Sequence, residues 1–164
     1  MKILIATDGS NFSEAAVEQV CRMVTKLKDA SIKVVSTYEP PLMAAAAPYA
    51  TPAVYSPALE REMKEVAAQA VSWAESKLRE QLPDLNGDLT TEVLRGSPGR
   101  EIVQQVDEWG ADLVVVGSHG YGFWERAVLG SVSHHVVHHA PCSVLVARIS
   151  EKPEWQQELS NGHD

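Results

Sequence analysis

The chain has 164 residues, 45% hydrophobic and 22% charged, with a formal net charge of −8. That length suits one domain with a sizeable core, and the composition excludes a wholly disordered chain. The negative balance disfavours nucleic acid or an anionic bilayer as the main partner, because both would repel it. Cys21 and Cys142, each in an apolar run, read as free thiols rather than a disulfide framework. The apolar start, Ile3-Leu4-Ile5, is too short for a signal peptide and lacks its cleavage pattern. The cytoplasm is the expected compartment.

Short continuous apolar runs alternate with stretches of helical spacing, the pattern of βα units around a buried parallel sheet. The first run is Lys2 to Ala6. A helix follows, carried by Ala16, Val17, Val20, Met23, Val24 and Leu27 and opened by Asn11 with Glu14 three residues on. Ile32 to Tyr38 is the second strand. Between Pro40 and Leu59 there is no charge, and five of the nine prolines fall there; proline excludes a continuous membrane helix. This insert, 40–58, reads as a linker or as a lid or docking loop. The second helix places Ser56 and Pro57 as N-cap and first residue, shows the stripe Leu59, Met63, Val66, Ala70, Trp73 and Leu78, and ends before Pro83.

Leu89 to Leu94 mixes polar and apolar residues, so that strand belongs at or near a sheet edge. Ser97 and Pro98 open a third helix, with Ile102, Val103, Val106 and Trp109 on its inner face and Gly110 as its C-terminal stop. Leu113 to Gly117 is the fourth strand. A last helix starts near Ser131 and stops before Pro141, and Ser143 to Arg148 is the fifth strand. Residues 1–149 form the expected domain, and 150–164 an acidic, frayed tail. The expected fold is α/β: a five-stranded parallel doubly wound sheet, order 3-2-1-4-5, with helices on both faces in a three-layer sandwich. Ligands collect beyond the carboxyl ends of such strands, which points to Thr7 to Asn11, the segment after Tyr38, and Gly117 to Gly130.

Strand four runs into Gly117-Ser118-His119-Gly120, and nine residues later comes Gly130-Ser131 at a helix start. Glycine lets backbone N–H groups approach an anion, and a helix N-terminus adds unsatisfied donors and a positive dipole end, so a phosphate chain fits there. The loop is neither a Walker A sequence nor the dinucleotide fingerprint. Asp8, in the first turn, suits a ribose hydroxyl or a divalent cation bridging phosphates; it equally suits a carboxylate satisfying N–H groups at a helix start. Arg126 is the only basic side chain between Gly117 and Gly130, so backbone dipoles and Mg²⁺ would do most of the neutralising.

The motif Gly117-x2-Gly120-x9-Gly130-Ser131, with Ile3-Leu4-Ile5-Ala6-Thr7-Asp8 and Ala140-Pro141-Cys142-Ser143-Val144-Leu145-Val146, resembles the ATP-binding branch of the universal stress protein family over about residues 1 to 149. The resemblance implies an ATP-binding homodimer in stress adaptation. Its candidate nucleotide contacts are Ala6, Thr7, Asp8, Thr37, Val116, Gly117, Ser118, His119, Gly120, Gly130, Ser131 and Val132, with Asp8 as the Mg²⁺ ligand. Thr37 stands where the family commonly has Val. Pairing of the fifth strand, Ser143 to Arg148, across a two-fold axis removes an exposed edge.

His134-His135-x-x-His138-His139 has zinc-like i, i+4 spacing but offers no third ligand beside it, which favours a solvated surface. Ser118 and His119 lack a third group and the strained elbow of an acyl-transfer enzyme. The leading expectation is therefore a regulatory nucleotide-binding protein with slow or no hydrolysis and an unidentified protein partner. The alternatives are a nucleotide-free dimeric interaction module and a weak ATPase or phosphotransferase.

Overall fold

A computed structural model describes residues 1–24, 29–40, 57–119 and 129–149. Among the described residues nine elements alternate: β1 Lys2–Ala6, α1 Asn11–Val24, β2 Ser31–Tyr38, α2 Pro57–Gln81, β3 Leu89–Arg95, α3 Pro98–Trp109, β4 Leu113–Gly117, α4 Ser131–His139 and β5 Ser143–Ala147. The strands are all parallel in the order β3-β2-β1-β4-β5, as the sequence predicts.

Period-two alternation divides the core between the two faces of the sheet. Ile3 and Ile5 of β1 point into one apolar layer with Val17, Val20, Val34, Leu78 and Val115. Leu4 and Ala6 point into the other, with Val35, Ile102, Val106, Val114 and Val136. From Ile3 to Ala6 the central strand is apolar and buried because helices cover both of its sides. Strand β3 lies at one edge, as its mixed composition predicts, and β5 at the other.

The start of α1 differs from the sequence reading. Ser10, not Asn11, caps it: the Ser10 carbonyl accepts the Glu14 N–H at 2.9 Å and the Ser10 hydroxyl lies 3.3 Å from the Ser13 N–H. Leu27, assigned to the stripe of this helix, lies outside the described residues.

The inner face of α2 also differs. Ala67, Ala70, Val71, Ala74 and Leu78 are buried, whereas Leu59, Val66 and Trp73 remain 38–51% exposed. This helix packs against β2, β3 and α1 together. Small side chains let it approach all three, so the face is chosen by close approach rather than by the largest apolar groups.

Helix α3 keeps the expected boundaries, with Pro98 in its first turn and Gly110 closing it in the left-handed conformation at φ 66°. Strand β5 ends at Ala147, one residue short of the expected Arg148.

Candidate functional site

The carboxyl end of β1 is held by a ring of hydroxyls. The Thr7 N–H continues the sheet by donating to the Val35 carbonyl at 2.9 Å. The Thr7 hydroxyl lies 3.1 Å from the Ser13 hydroxyl, which in turn donates to the Ser10 carbonyl at 2.9 Å. Asp8 accepts both the Ser10 N–H at 3.0 Å and the Ser10 hydroxyl at 2.6 Å on the same oxygen, Oδ1. Its carboxylate therefore folds the turn that leads into α1. Gly9, inside that turn, has φ 77°, a conformation glycine adopts at little cost.

At the end of β4, Gly117 is glycine for a packing reason. A Cβ there would lie 2.7 Å from the Phe12 carbonyl group, so the first turn of α1 crosses directly over the strand. Ser118 is buried, and its backbone ties three elements together. Its N–H donates to the Ala147 carbonyl at 2.8 Å, and its own carbonyl accepts the Gly130 N–H at 2.9 Å and the Ser133 hydroxyl at 3.0 Å. The Ser118 hydroxyl lies 3.2 Å from His119 Nδ1. The His119 ring leans on Phe12 with centroids 5.1 Å apart.

These bonds define which amides at the start of α4 lack an intrahelical acceptor. The Gly130 N–H is committed to Ser118, and its carbonyl accepts the His134 N–H and the Ser133 hydroxyl, both at 2.9 Å. The next three N–H groups, on Ser131, Val132 and Ser133, occupy the first turn, where no intrahelical acceptor exists. The amides without an intrahelical acceptor thus begin one residue after the glycine.

A cavity of about 370 Å³ opens between these ends, within the usual range for small-molecule sites. Of the expected contacts, Ala6, Thr7, Asp8, Thr37, Val116, Gly117, His119, Gly130, Ser131 and Val132 line it. Ser118 does not, being turned into the structure at 3% exposure. Gly120 lies outside the described residues. The wall further contains Ser13, Val35, Ser36, Pro98, Ile102 and Ser133, which the sequence reading missed. Ser36 adjoins Thr37, and Ser133 follows Gly130 by three residues, so both carried a local signal. Pro98 and Ile102 carried none, because only the crossing of α3 over the sheet brings them there. No Lys or Arg is found among the described residues of the wall; its one carboxylate is that of Asp8.

The histidines of α4 stack in two pairs. The rings of His134 and His138 lie 4.2 Å apart, and those of His135 and His139 lie 4.1 Å apart. Stacked rings direct their nitrogens side by side rather than toward one point. His138 Nδ1 lies 2.9 Å from the His134 carbonyl and His139 Nδ1 lies 2.8 Å from the His135 carbonyl; a carbonyl only accepts, so both Nδ1 atoms carry hydrogen.

Residues 1–148 match the model of the universal stress protein family. The chain belongs to this family. A universal stress protein of Staphylococcus haemolyticus is 31% identical over 161 residues, covering 96% of this chain and 91% of the relative. Among solved structures, the universal stress protein of Lactobacillus plantarum is 25% identical with a TM-score of 0.64, over 90% of this chain and 97% of that one. A universal stress protein family member of Arabidopsis thaliana, solved with AMP bound, shares the fold at 21% identity and a TM-score of 0.61, over 93% and 94% of the two chains. The same fold recurs in a universal stress protein complexed with cAMP, at 21% identity and a TM-score of 0.61 over 92% and 98% of the two chains, and in one from Archaeoglobus fulgidus complexed with dAMP, at 20% identity and a TM-score of 0.62 over 90% and 97%. Among the described residues of this universal stress protein, no helix is long and apolar enough to cross a membrane.

Proposed function

We propose that this chain binds an adenine nucleotide in the cavity at the carboxyl ends of β1, β2 and β4, and acts by binding rather than by turnover. One arrangement carries the reading. The first turn of α4, Ser131 to Ser133, whose amides lack an intrahelical acceptor, lines the same cavity as the apolar Val35, Ile102 and Val116. The nucleotide complexes of its structural neighbours support it. Adenine then lies toward Val35 and Thr37, the ribose toward Asp8, and the phosphates toward Ser131 to Ser133, with Gly117 and His119 on the loop side.

ATP is the nucleotide that the resemblance to the ATP-binding branch of the family implies, with Mg²⁺ as its partner. A lone carboxylate with one oxygen already holding Ser10 does not make an all-protein metal site. It fits a cation that arrives on the phosphates and keeps most of its waters. Mg²⁺ would supply charge neutralisation there, and Asp8 would supply one ligand. Hydrolysis is slow in this reading: release of phosphate faster than about 1 per second, the low end for dedicated phosphoryl-transfer enzymes, would replace it with the ATPase alternative.

The test is calorimetric titration of AMP, cAMP and ATP, the last with Mg²⁺ or EDTA, into nucleotide-stripped protein. Ser131→Pro deletes one first-turn amide and a hydroxyl at a position where proline suits a helix. It should weaken binding about tenfold, the value of a charge-assisted hydrogen bond. Unchanged affinity would remove the phosphates from the α4 start.

A second reading, a nucleotide-free dimeric interaction module, is favoured by the commitment of the Gly130 amide to Ser118 and by the absence of Lys and Arg from the described wall. It predicts no heat with any adenine nucleotide.

A further inference from the structure

Next in sequence to the residues that line the cavity is a helix–helix contact made by a titratable ring. Two helix N-termini lie in the cavity wall, Pro98 of α3 and Gly130 to Ser133 of α4. They meet where Gly99 faces His135: a Cβ on Gly99 would lie 2.8 Å from His135 Cγ, so the imidazole rests directly on the backbone of α3. We propose that protonation of His135 loosens the α3–α4 contact and with it the amide-lined end of the cavity, making this chain an acid-sensitive binder.

Of the charged groups around the ring, the cations oppose its protonation and Asp107 favours it. On its own helix, His139 stacks on it at 4.1 Å and His134 is its neighbour. From α3, Arg100 and Asp107 share the groove with His135 and His139. Strand β5, the other element packed on α4, has no titratable residue. Burial, then His139, Arg100 and His134, lower the pKa of His135 below the usual 6.5. His138 and His139 follow in the last turn of the helix.

A histidine whose folded pKa is lowered leaves the fold at full stability above the unfolded value. That stability is lost as the pH falls from 6.5 through the folded value. Within the proposal, that loss falls on the contact where the His135 ring lies against the α3 backbone at Gly99. The effect on ligand affinity rests on the nucleotide reading above; the loosening itself does not.

The experiment follows backbone amides and histidine ring protons by NMR from pH 8 to pH 5, in wild type and His135→Gln. The amides of Gly99 and Ser131 to Ser133 should titrate with the His135 ring, at a midpoint below 6.5, and lose that transition in the variant. AMP affinity should fall about three- to tenfold between pH 7.5 and 5.5 in wild type, and less than twofold in His135→Gln. His119, also in the wall, is common to both proteins, so the comparison cancels it. Gly99→Ala provides an independent arm, because its methyl group should separate the helices at pH 7.5 and reproduce the acid amide positions. Amides that titrate identically in His135→Gln, or a His135 ring that titrates at or above 6.5, would overturn the proposal. Coupled amide titration with no AMP binding at any pH would uphold the switch and remove the nucleotide reading instead.

Discussion

At Ser13 one side-chain oxygen stands 3.1 Å from the Thr7 hydroxyl and 3.4 Å from the Asp8 N–H while donating to the Ser10 carbonyl. Ser13→Ala leaves the buried Thr7 hydroxyl without this partner and should cost about 1–3 kcal/mol, read as a lower urea midpoint at unchanged m-value. If the stability is unaltered, the hydroxyl ring is not what holds the Asp8 turn. Gly117→Ala brings a methyl against the Phe12 carbonyl at 2.7 Å and should cost about 1–3 kcal/mol even in nucleotide-free protein, as overpacking does. A loss seen only in nucleotide affinity would assign this glycine to the ligand alone. Spacing singled out Gly117 because glycine admits a ligand. The packing reason was invisible, since nothing in the string places Phe12 above the end of β4. Ser118 shows the same limit: its type and position suit a phosphate contact, but the fold spends its backbone on joining β5, β4 and α4.

Elements were legible where the signal is local. Pro98 and Gly110 bound α3 by their own backbone preferences, and Gly110 takes the left-handed conformation that such a stop requires. Gly110→Ala should therefore destabilise by about 1 kcal/mol, although a Cβ there would meet nothing within 4 Å. Helix α2 was legible in extent but not in orientation. Its periodicity supports two overlapping apolar faces, and the choice falls to what lies beneath it. Leu78→Ala, at a fully buried position, should cost about 2–5 kcal/mol. Val66→Lys, at 51% exposure, should stay within about 0.5 kcal/mol. Equal costs in a denaturant titration would contradict the described face.

For the whole molecule, the sheet order leaves β3 and β5 as edges, and an uncovered edge invites pairing. We expect a homodimer through β5, the strand the sequence assigned to Ser143 to Arg148, and sedimentation equilibrium at micromolar concentration should return twice the chain mass. A monomer would mean that this edge is covered within the chain. Sequence alone determined the class of fold, the order of elements and the ends of β1 and β4 as the place to look, because period, proline and glycine act through neighbouring residues. Only tertiary structure decided which amides of α4 are left to donate, which face of α2 is inside, and that Pro98, Ile102 and Val35 share a wall. Those outcomes depend on which distant backbone groups meet, and a hydrogen bond between Ser118 and Gly130 or a ring resting on Gly99 has no counterpart in local pattern.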